Sequence, residues 1–376
     1  MLGLYLHIPF CVKKCAYCDF VSVEGNAKQD AYVSALCKEI ELTGNMYGKA
    51  VDSIFIGGGT PSVLPARKLV EVLNRVKICF AVTEDAEITM EANPCSISAE
   101  KLELWKKAGV NRLSIGLQAA QDTHLQALGR VHTVDAFDRA FNDARKAGFE
   151  NINIDVIYAL PMQTLSEWEQ TLFYVLYKKP EHISAYALKI EENTPMGQMQ
   201  RRGELLAADE DSDLAMYHMA QDILGYRGFE NYEISNFSIP GDECRHNLKY
   251  WNLRDYLGLG VAAHSCIDRL RFANTSDLDL YIKNMTEGKM QYEQSEFISD
   301  EESKLEYFML KLRLKRGFML YDYKNRFGED FLDVFKKEFE TAEREGLAKL
   351  KDDCIVPTAR GFDLQNRLVG ILIQNL

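Results

Sequence analysis

Short apolar runs alternate with stretches of helical period through the first half of the chain. Residues 4–8, 51–56, 88–90, 112–117, 152–158 and 183–188 read as strands. Between them, 30–42, 66–80, 99–108, 135–147 and 165–177 carry apolar positions at helical spacing. One echo supports a repeated unit: Lys107-Ala108-Gly109-Val110 precedes one strand and Lys146-Ala147-Gly148-Phe149 the next. In both, glycine can take the left-handed conformation that ends a helix before the chain enters a strand. Strands alternating with helices predict an α/β fold of parallel βαβ units. Six units suffice for a partial (β/α)6 barrel, two short of a closed eight-fold one. A doubly wound open sheet is the alternative.

From about residue 195 this rhythm stops. Residues 198–213 are polar and charged, a helix-like stretch runs to Tyr226, and Gly/Asn/aromatic-rich sequence continues through 271. The last 76 residues change again. Residues 300–315 and 330–345 read as amphipathic helices, and Cys354-Ile355-Val356-Pro357 followed by 358–368 reads as a hairpin leading into a helix. That combination predicts a winged-helix-like unit, a shape that does not itself imply DNA binding. The expected division is 1–195, a barrel; 196–299, a linking extension; and 300–376, a C-terminal helical unit.

Composition narrows the class. The 376 residues are 47% hydrophobic and 27% charged, ordinary for a globular protein and too apolar for disorder. With 44 Lys+Arg against 56 Asp+Glu, the net charge of −12 argues against nucleic acid, whose phosphates need a basic face. No run of about 18 uncharged apolar residues predicts a transmembrane span. The start, MLGLYLHIPF, has no cationic stretch ahead of its apolar residues and does not read as a signal peptide. Nine cysteines in a chain this long are too sparse for a disulfide scaffold, so reduced thiols and a cytoplasmic protein are expected.

Three of those cysteines carry the chemistry. Cys11, Cys15 and Cys18 stand at C-x3-C-x2-C just after the first predicted strand, which Pro9 ends. Thiolates select zinc or iron–sulfur clusters. A structural zinc site needs a fourth protein ligand borrowed from elsewhere. A cubane on three cysteines keeps one iron open to an outside ligand. Unliganded thiols are the third reading.

The spacing, with aromatic Tyr17 before the last cysteine, resembles that of the radical S-adenosylmethionine (SAM) enzymes. The preceding Tyr5-x-His7-Ile8-Pro9-Phe10-Cys11 is similar to the coproporphyrinogen-oxidase-like branch, and the likeness runs through nearly the whole chain. The resemblance implies a radical SAM partial barrel and a [4Fe–4S] cluster on Cys11, Cys15 and Cys18. It also implies SAM held by Tyr5, Gly58, Gly59, Thr60, Glu91, Gln118, Arg130 and Asp155. The segment Gly57-Gly58-Gly59-Thr60-Pro61 lacks the Gly-Lys-Ser/Thr ending of a P-loop. Its glycines let backbone approach a ligand closely. The polar residues lie at or near the ends of later predicted strands, which share one face in a parallel barrel.

Two departures from the oxidase stand out. Phe20 occupies the place of a fourth cysteine, and little sequence precedes Cys11. Both features resemble the heme chaperone group of this branch. His246-Asn247-Leu248-Lys249-Tyr250-Trp251 matches that group's His-Asn-x-x-Tyr-Trp segment, which implies heme bound with the help of His246. The implied partners are heme or another tetrapyrrole, an acceptor hemoprotein, and an electron donor such as a flavodoxin or ferredoxin. The alternative function is oxygen-independent oxidative decarboxylation of coproporphyrinogen III, so whether the chain is an enzyme stays open.

Overall fold

The computed structural model describes residues 1–44 and 46–374. The last two residues of the expected C-terminal unit lie outside the described residues. Its centre is a twelve-stranded sheet. In chain order the strands are β1 (Leu2–Ile8), β2 (Val51–Gly58), β3 (Val82–Ala92), β4 (Arg112–Gln118), β5 (Asn151–Tyr158) and β6 (His182–Ala187). Then follow β7 (Glu230–Asn231), β8 (Asn236–Ser238), β9 (Tyr256–Leu259), β10 (His264–Ile267), β11 (Leu270–Asn274) and β12 (Tyr292–Phe297). Each of the six expected strands is present. They lie side by side in sequence order, all parallel.

That order decides between the two expected architectures. A doubly wound sheet reverses its strand order so that helices cover both faces. Here every right-handed crossover steps in the same direction, which stacks the helices on one face. The helices are α1 (Gln29–Gly44), α2 (Ala66–Cys79), α3 (Ala99–Lys107), α4 (Asp122–Ala127), α5 (Val134–Lys146) and α6 (Leu165–Lys178). Packing of α1 on α2, α2 on α3 and α3 on α5 traces this outer layer. The repeated Lys-Ala-Gly turns end α3 and α5 as expected, with Gly109 and Gly148 at φ +100° and +83°. The result is a partial barrel, curled around its other face.

Alternation along each strand sorts the two faces. Leu2, Leu4, Leu6 and Ile8 of β1 are fully buried against the helices. The inner face carries buried polar residues instead, among them Ser53, Glu87, Thr89, Arg112, Ser114, Asn153 and His182. Buried polar groups cost stability unless hydrogen-bonded, so this interior is organised by networks.

The segment after residue 195 also feeds this sheet. Its helices are α7 (Pro195–Arg201), α8 (Glu210–Tyr226), α9 (Arg245–Trp251) and α10 (Leu278–Thr286). Strand β8 pairs antiparallel with β6 and β7 with β8, while β9 joins β1 as a seventh parallel strand. Antiparallel β10, β11 and β12 continue that edge. The period-two signal for these strands is weak, because they are short and glycine interrupts the longest motif.

The C-terminal region builds a second apolar core of its own around Tyr307, Phe308, Phe318, Tyr323 and Phe331. It contains α11 (Asp300–Lys311), β13 (Phe318–Met319), α12 (Leu320–Phe327), α13 (Phe331–Val334), α14 (Lys336–Arg344), β14 (Ala348–Lys351), β15 (Cys354–Pro357), α15 (Ala359–Asp363) and α16 (Gln365–Ile373). Helices around a three-stranded sheet of order β13-β15-β14 match the winged-helix-like expectation. Helix α11 stops before 315 because Leu314 leaves it to pair with Glu233. The expected helix over 330–345 is broken at Phe335, which is buried in the aromatic core.

Candidate functional site

The carboxyl ends of the parallel strands gather on one side of the barrel. After β1 the chain pairs Phe10–Cys11 in parallel with Val23–Glu24, so the intervening cysteine loop is closed at its base. The Val23 amide donates to the Pro9 carbonyl at 2.7 Å and the Gly25 amide to that of Cys11 at 3.1 Å. Farther out, the Ala16 amide donates to the Leu128 carbonyl at 3.0 Å, and the Ala16 carbonyl accepts from the Met196 amide at 2.9 Å. Cys11 is buried, Cys15 and Cys18 are half-buried, and burial raises the Cys18 thiol above its ordinary pKa. Among the described residues all nine cysteines are free thiols. Also among them, no three His, Cys, Asp or Glu side chains converge as a single metal ion would require.

The glycine turn at the end of β2 lies directly against this loop. The Gly59 amide donates to the Ile8 carbonyl and the Thr60 amide to the Phe10 carbonyl, both at 2.8 Å. Thr60 Oγ1 is 3.5 Å from Cys11 Sγ. A Cβ on Gly59 would meet the Phe10 and Ile8 carbonyl oxygens at 2.9 and 3.0 Å. Gly58 adopts φ +110°, and a Cβ there would press on the His7 ring at 2.6 Å. Only glycine fits such a close approach of two strand ends.

Glu91, near the end of β3, accepts from the Gly58 amide at 3.2 Å. Burial, with the nearby Asp155 carboxylate adding to it, pushes its pKa up to about 8. Asp155 is fixed from below: Ser114 Oγ donates to Oδ2 at 2.8 Å and Asn153 Nδ2 to Oδ1 at 2.7 Å. Asn153 Oδ1 accepts in turn from Ser184 at 3.1 Å and lies 2.7 Å from His182 Nδ1. Gln118 ends β4 with φ +72°, a strained conformation for a residue with a side chain. Arg130 sends Nη1 toward Cys15 Sγ at 3.5 Å and Nη2 toward the Gly116 carbonyl at 3.4 Å. Among the described residues its buried Nε has no hydrogen-bond partner. Tyr5 stacks near Phe55 and is 3.0 Å from His7 Nδ1 through its hydroxyl. Burial raises the Tyr5 hydroxyl far above its ordinary pKa, with Glu91 adding to the effect.

The structure therefore brings Cys11, Cys15, Cys18, Tyr5, Gly58, Gly59, Thr60, Glu91, Gln118, Arg130 and Asp155 to one end of the barrel. It places His246 at the other. Helix α9 closes the amino ends of the strands, where the His246 amide donates to Glu87 Oε1 at 3.0 Å and Lys249 pairs with Asp52 at 2.5 Å. The His246 ring is 1% exposed; Nδ1 is 3.0 Å from Ser53 Oγ and Nε2 2.9 Å from Tyr250 Oη. Both ring nitrogens are engaged, so binding iron would cost one of these bonds. Burial, with Lys249 adding, lowers its pKa to about 3. Cys244 is fully buried, and His264 is an exposed strand residue.

Two residues of the site carried little weight in the sequence. His7 touches both sides of the cluster loop, through Tyr5 and through the Val21 carbonyl at 2.9 Å. Its period-two alternation with Tyr5 along β1 is the sequence signal that places both side chains on the inner face. Tyr17 sits among Arg130, Cys15, Cys18 and Asp155.

A cradle that any Cβ would fill, a buried guanidinium nitrogen and a half-buried, desolvated carboxylate, neither with a partner ion among the described residues, all suit a zwitterionic ligand beside three thiols. The Radical SAM superfamily description matches residues 5–175, and the HemN C-terminal domain matches 298–364. Together they define the class, a radical SAM barrel followed by a HemN-type C-terminal domain. Over its whole length the chain has the fold of the coproporphyrinogen III oxidase HemN from Escherichia coli. The TM-score is 0.86 at 24% identity, covering 100% of this chain and 90% of that one. Heme chaperone HemW of Bacillus subtilis (strain 168) is 33% identical over 100% of both chains. HemW of Lactococcus lactis (strain IL1403) is 35% identical over 97% of this chain and 95% of its own. HemW of Escherichia coli (strain K12) is 39% identical over 70% and 69%. The chain belongs to the HemW family of radical SAM proteins. That membership implies a [4Fe–4S] cluster and SAM as cofactors.

Proposed function

We propose that this protein is a cytoplasmic heme chaperone that carries a [4Fe–4S] cluster, binds SAM and heme, and passes heme to an acceptor hemoprotein. The observation that carries the cofactor reading is the convergence of the cysteine loop, the glycine turn, Glu91, Gln118, Arg130 and Asp155 at one end of the barrel. Cys11, Cys15 and Cys18 hold the cluster and leave one iron open. When bound there, the cluster would supply one-electron reducing chemistry, with a flavodoxin- or ferredoxin-type protein as the electron donor.

The chain's own residues bind and orient. The Gly57–Gly59 backbone offers its carbonyls to the cationic amino group, and Glu91 supplies a counter-charge within a water-poor pocket. Arg130 has donors to spare for a carboxylate. Asp155 and Gln118 border the same space, with Asp155 held by Ser114 and Asn153. Tyr5 and His7 support the wall beneath. Phe20 is 66% exposed at the position of the oxidase's fourth cysteine, where it offers no thiol, and this supports a carrier over a decarboxylase.

The test is anaerobic reconstitution followed by assay with SAM, reductant and coproporphyrinogen III. The expected protein holds four irons and four sulfides, lost in Cys15→Ala, and forms no protoporphyrinogen. Catalytic turnover would sink the chaperone reading, and a full cluster in Cys15→Ala would sink the ligand assignment.

A further inference from the structure

A cleft of about 870 Å³ opens between β9–β11 and the helices α11 and α12 of the C-terminal region. That volume falls within the roughly 300–1,000 Å³ of pockets that take small organic ligands. No residue of the cysteine loop or of the SAM pocket lines it.

Its walls are amphipathic. Tyr250 and Tyr256 pack edge-to-face with ring centroids 4.7 Å apart, and Phe327 of α12 lines the same cleft. Tyr250 is the tyrosine of the His-Asn-x-x-Tyr-Trp segment, held from behind by His246 Nε2 at 2.9 Å. The half-buried thiol of Cys266 is part of the lining, which includes no histidine and no methionine.

Two arginines of the cleft stand apart from its other charges. Every carboxylate on the walls already has its cation. Lys49 holds Asp255 and Asp268, Arg269 holds Asp300, Arg271 holds Glu306, and Lys304 holds Glu329. Arg254 and Arg326 also line the cleft, exposed, and among the described residues neither has an ion-pair partner. Partial desolvation holds Arg326 below its ordinary pKa, and the positive charges of Arg254 and Arg269 add to the effect. In a chain of net charge −12, two neighbouring cations without counter-ions beside an aromatic wall mark a site for an anionic, largely apolar ligand.

We infer that this cleft is the resting place of the tetrapyrrole, with its propionates on Arg254 and Arg326, its ring against Tyr250, Tyr256 and Phe327, and its iron toward Cys266. The inference rests on the heme-binding reading above and assigns that function a location. Cys266 is the soft donor of the lining. On binding ferric iron its thiol gives its proton to solvent, and one Fe–S bond replaces an iron-bound water with no change of oxidation state. His246 then acts as a positioning residue through Tyr250 and does not touch the ligand.

The test is titration of the full chain with ferric protoporphyrin IX, and in parallel with its dimethyl ester. Wild type, Arg254→Glu/Arg326→Glu and Cys266→Ala are compared, each first checked for an unchanged unfolding midpoint. The expected result is stoichiometric binding by wild type and at least tenfold weaker binding by the double variant. The ester is expected to bind wild type at least tenfold more weakly and to be insensitive to the arginines. Cys266→Ala should keep binding but shift the Soret band. If wild type binds heme and all variants match it in affinity and spectrum, this location is wrong while the chaperone reading stands. If wild type binds no heme, the chaperone reading fails first.

Discussion

Arg130 donates to the sulfur of Cys15 at 3.5 Å, joining the end of α4 to the cysteine loop across the mouth of the barrel. A guanidinium here lowers the cost of gathering thiolates and keeps further N–H groups for a ligand carboxylate. Arg130→Met should leave the fold intact and weaken SAM binding by about 10- to 100-fold, the worth of one hydrogen bond to a charged group. Equilibrium binding of SAM to the reconstituted protein measures it, and unchanged affinity would remove Arg130 from the site.

Glu91 makes the ligand-free protein sensitive to pH. Its folded pKa of about 8 lies above the ordinary 4.5, so the fold disfavours the charged form. The stability it contributes is present below pH 4.5 and is lost as pH rises through about 8. Glu91→Gln should therefore show a flatter decline in unfolding midpoint across that window. Binding of cationic SAM should release a proton from wild type near neutral pH and not from the variant, as calorimetry in two buffers would show.

The glycine turn has no room to give. A Cβ at Gly59 meets backbone atoms of Phe10 and Ile8, not the end of a movable side chain. Gly59→Ala should cost about 1–3 kcal/mol of stability in a denaturant titration. SAM binding should be lost at temperatures where the variant is still folded.

His246 gives the opposite pH signature. With its pKa held near 3, its stability contribution is complete above 6.5 and is lost as pH falls toward 3. His246→Gln should be less stable than wild type at pH 7, by about 1–3 kcal/mol for the broken bonds to Ser53 and Tyr250. It should also lose stability less steeply in acid. A variant as stable as wild type at pH 7 would show that the buried ring bears no load.

The barrel was legible because its strands carry strong patterns. Leu4–Leu6–Ile8 against the inward Tyr5 and His7 is a clean alternation, and the two Lys-Ala-Gly turns mark where helices stop. The polar residues at strand ends could be placed because parallel topology forces those ends together. What lies beyond residue 195 was not legible in the same way. Strands such as Asn236–Ser238 and Tyr256–Leu259 are too short for a period to emerge and are defined by partners far off in sequence. His246 shows the limit most clearly. Its motif pointed to a ligand, whereas its surroundings, Ser53, Phe55 and Glu87, come from strands about 160–190 residues earlier and are invisible to local reading. The cleft at Arg254 and Arg326 likewise depends on two regions meeting.

The central claim is handover of heme, and the order of the transfer reaction in acceptor tests it most directly. Heme-loaded protein is mixed under anaerobic conditions with increasing apo-b-type cytochrome, and the appearance of the holo-cytochrome spectrum is followed. A direct chaperone predicts a transfer rate that rises with acceptor concentration and exceeds spontaneous release. A rate independent of acceptor and equal to spontaneous heme loss would contradict the account.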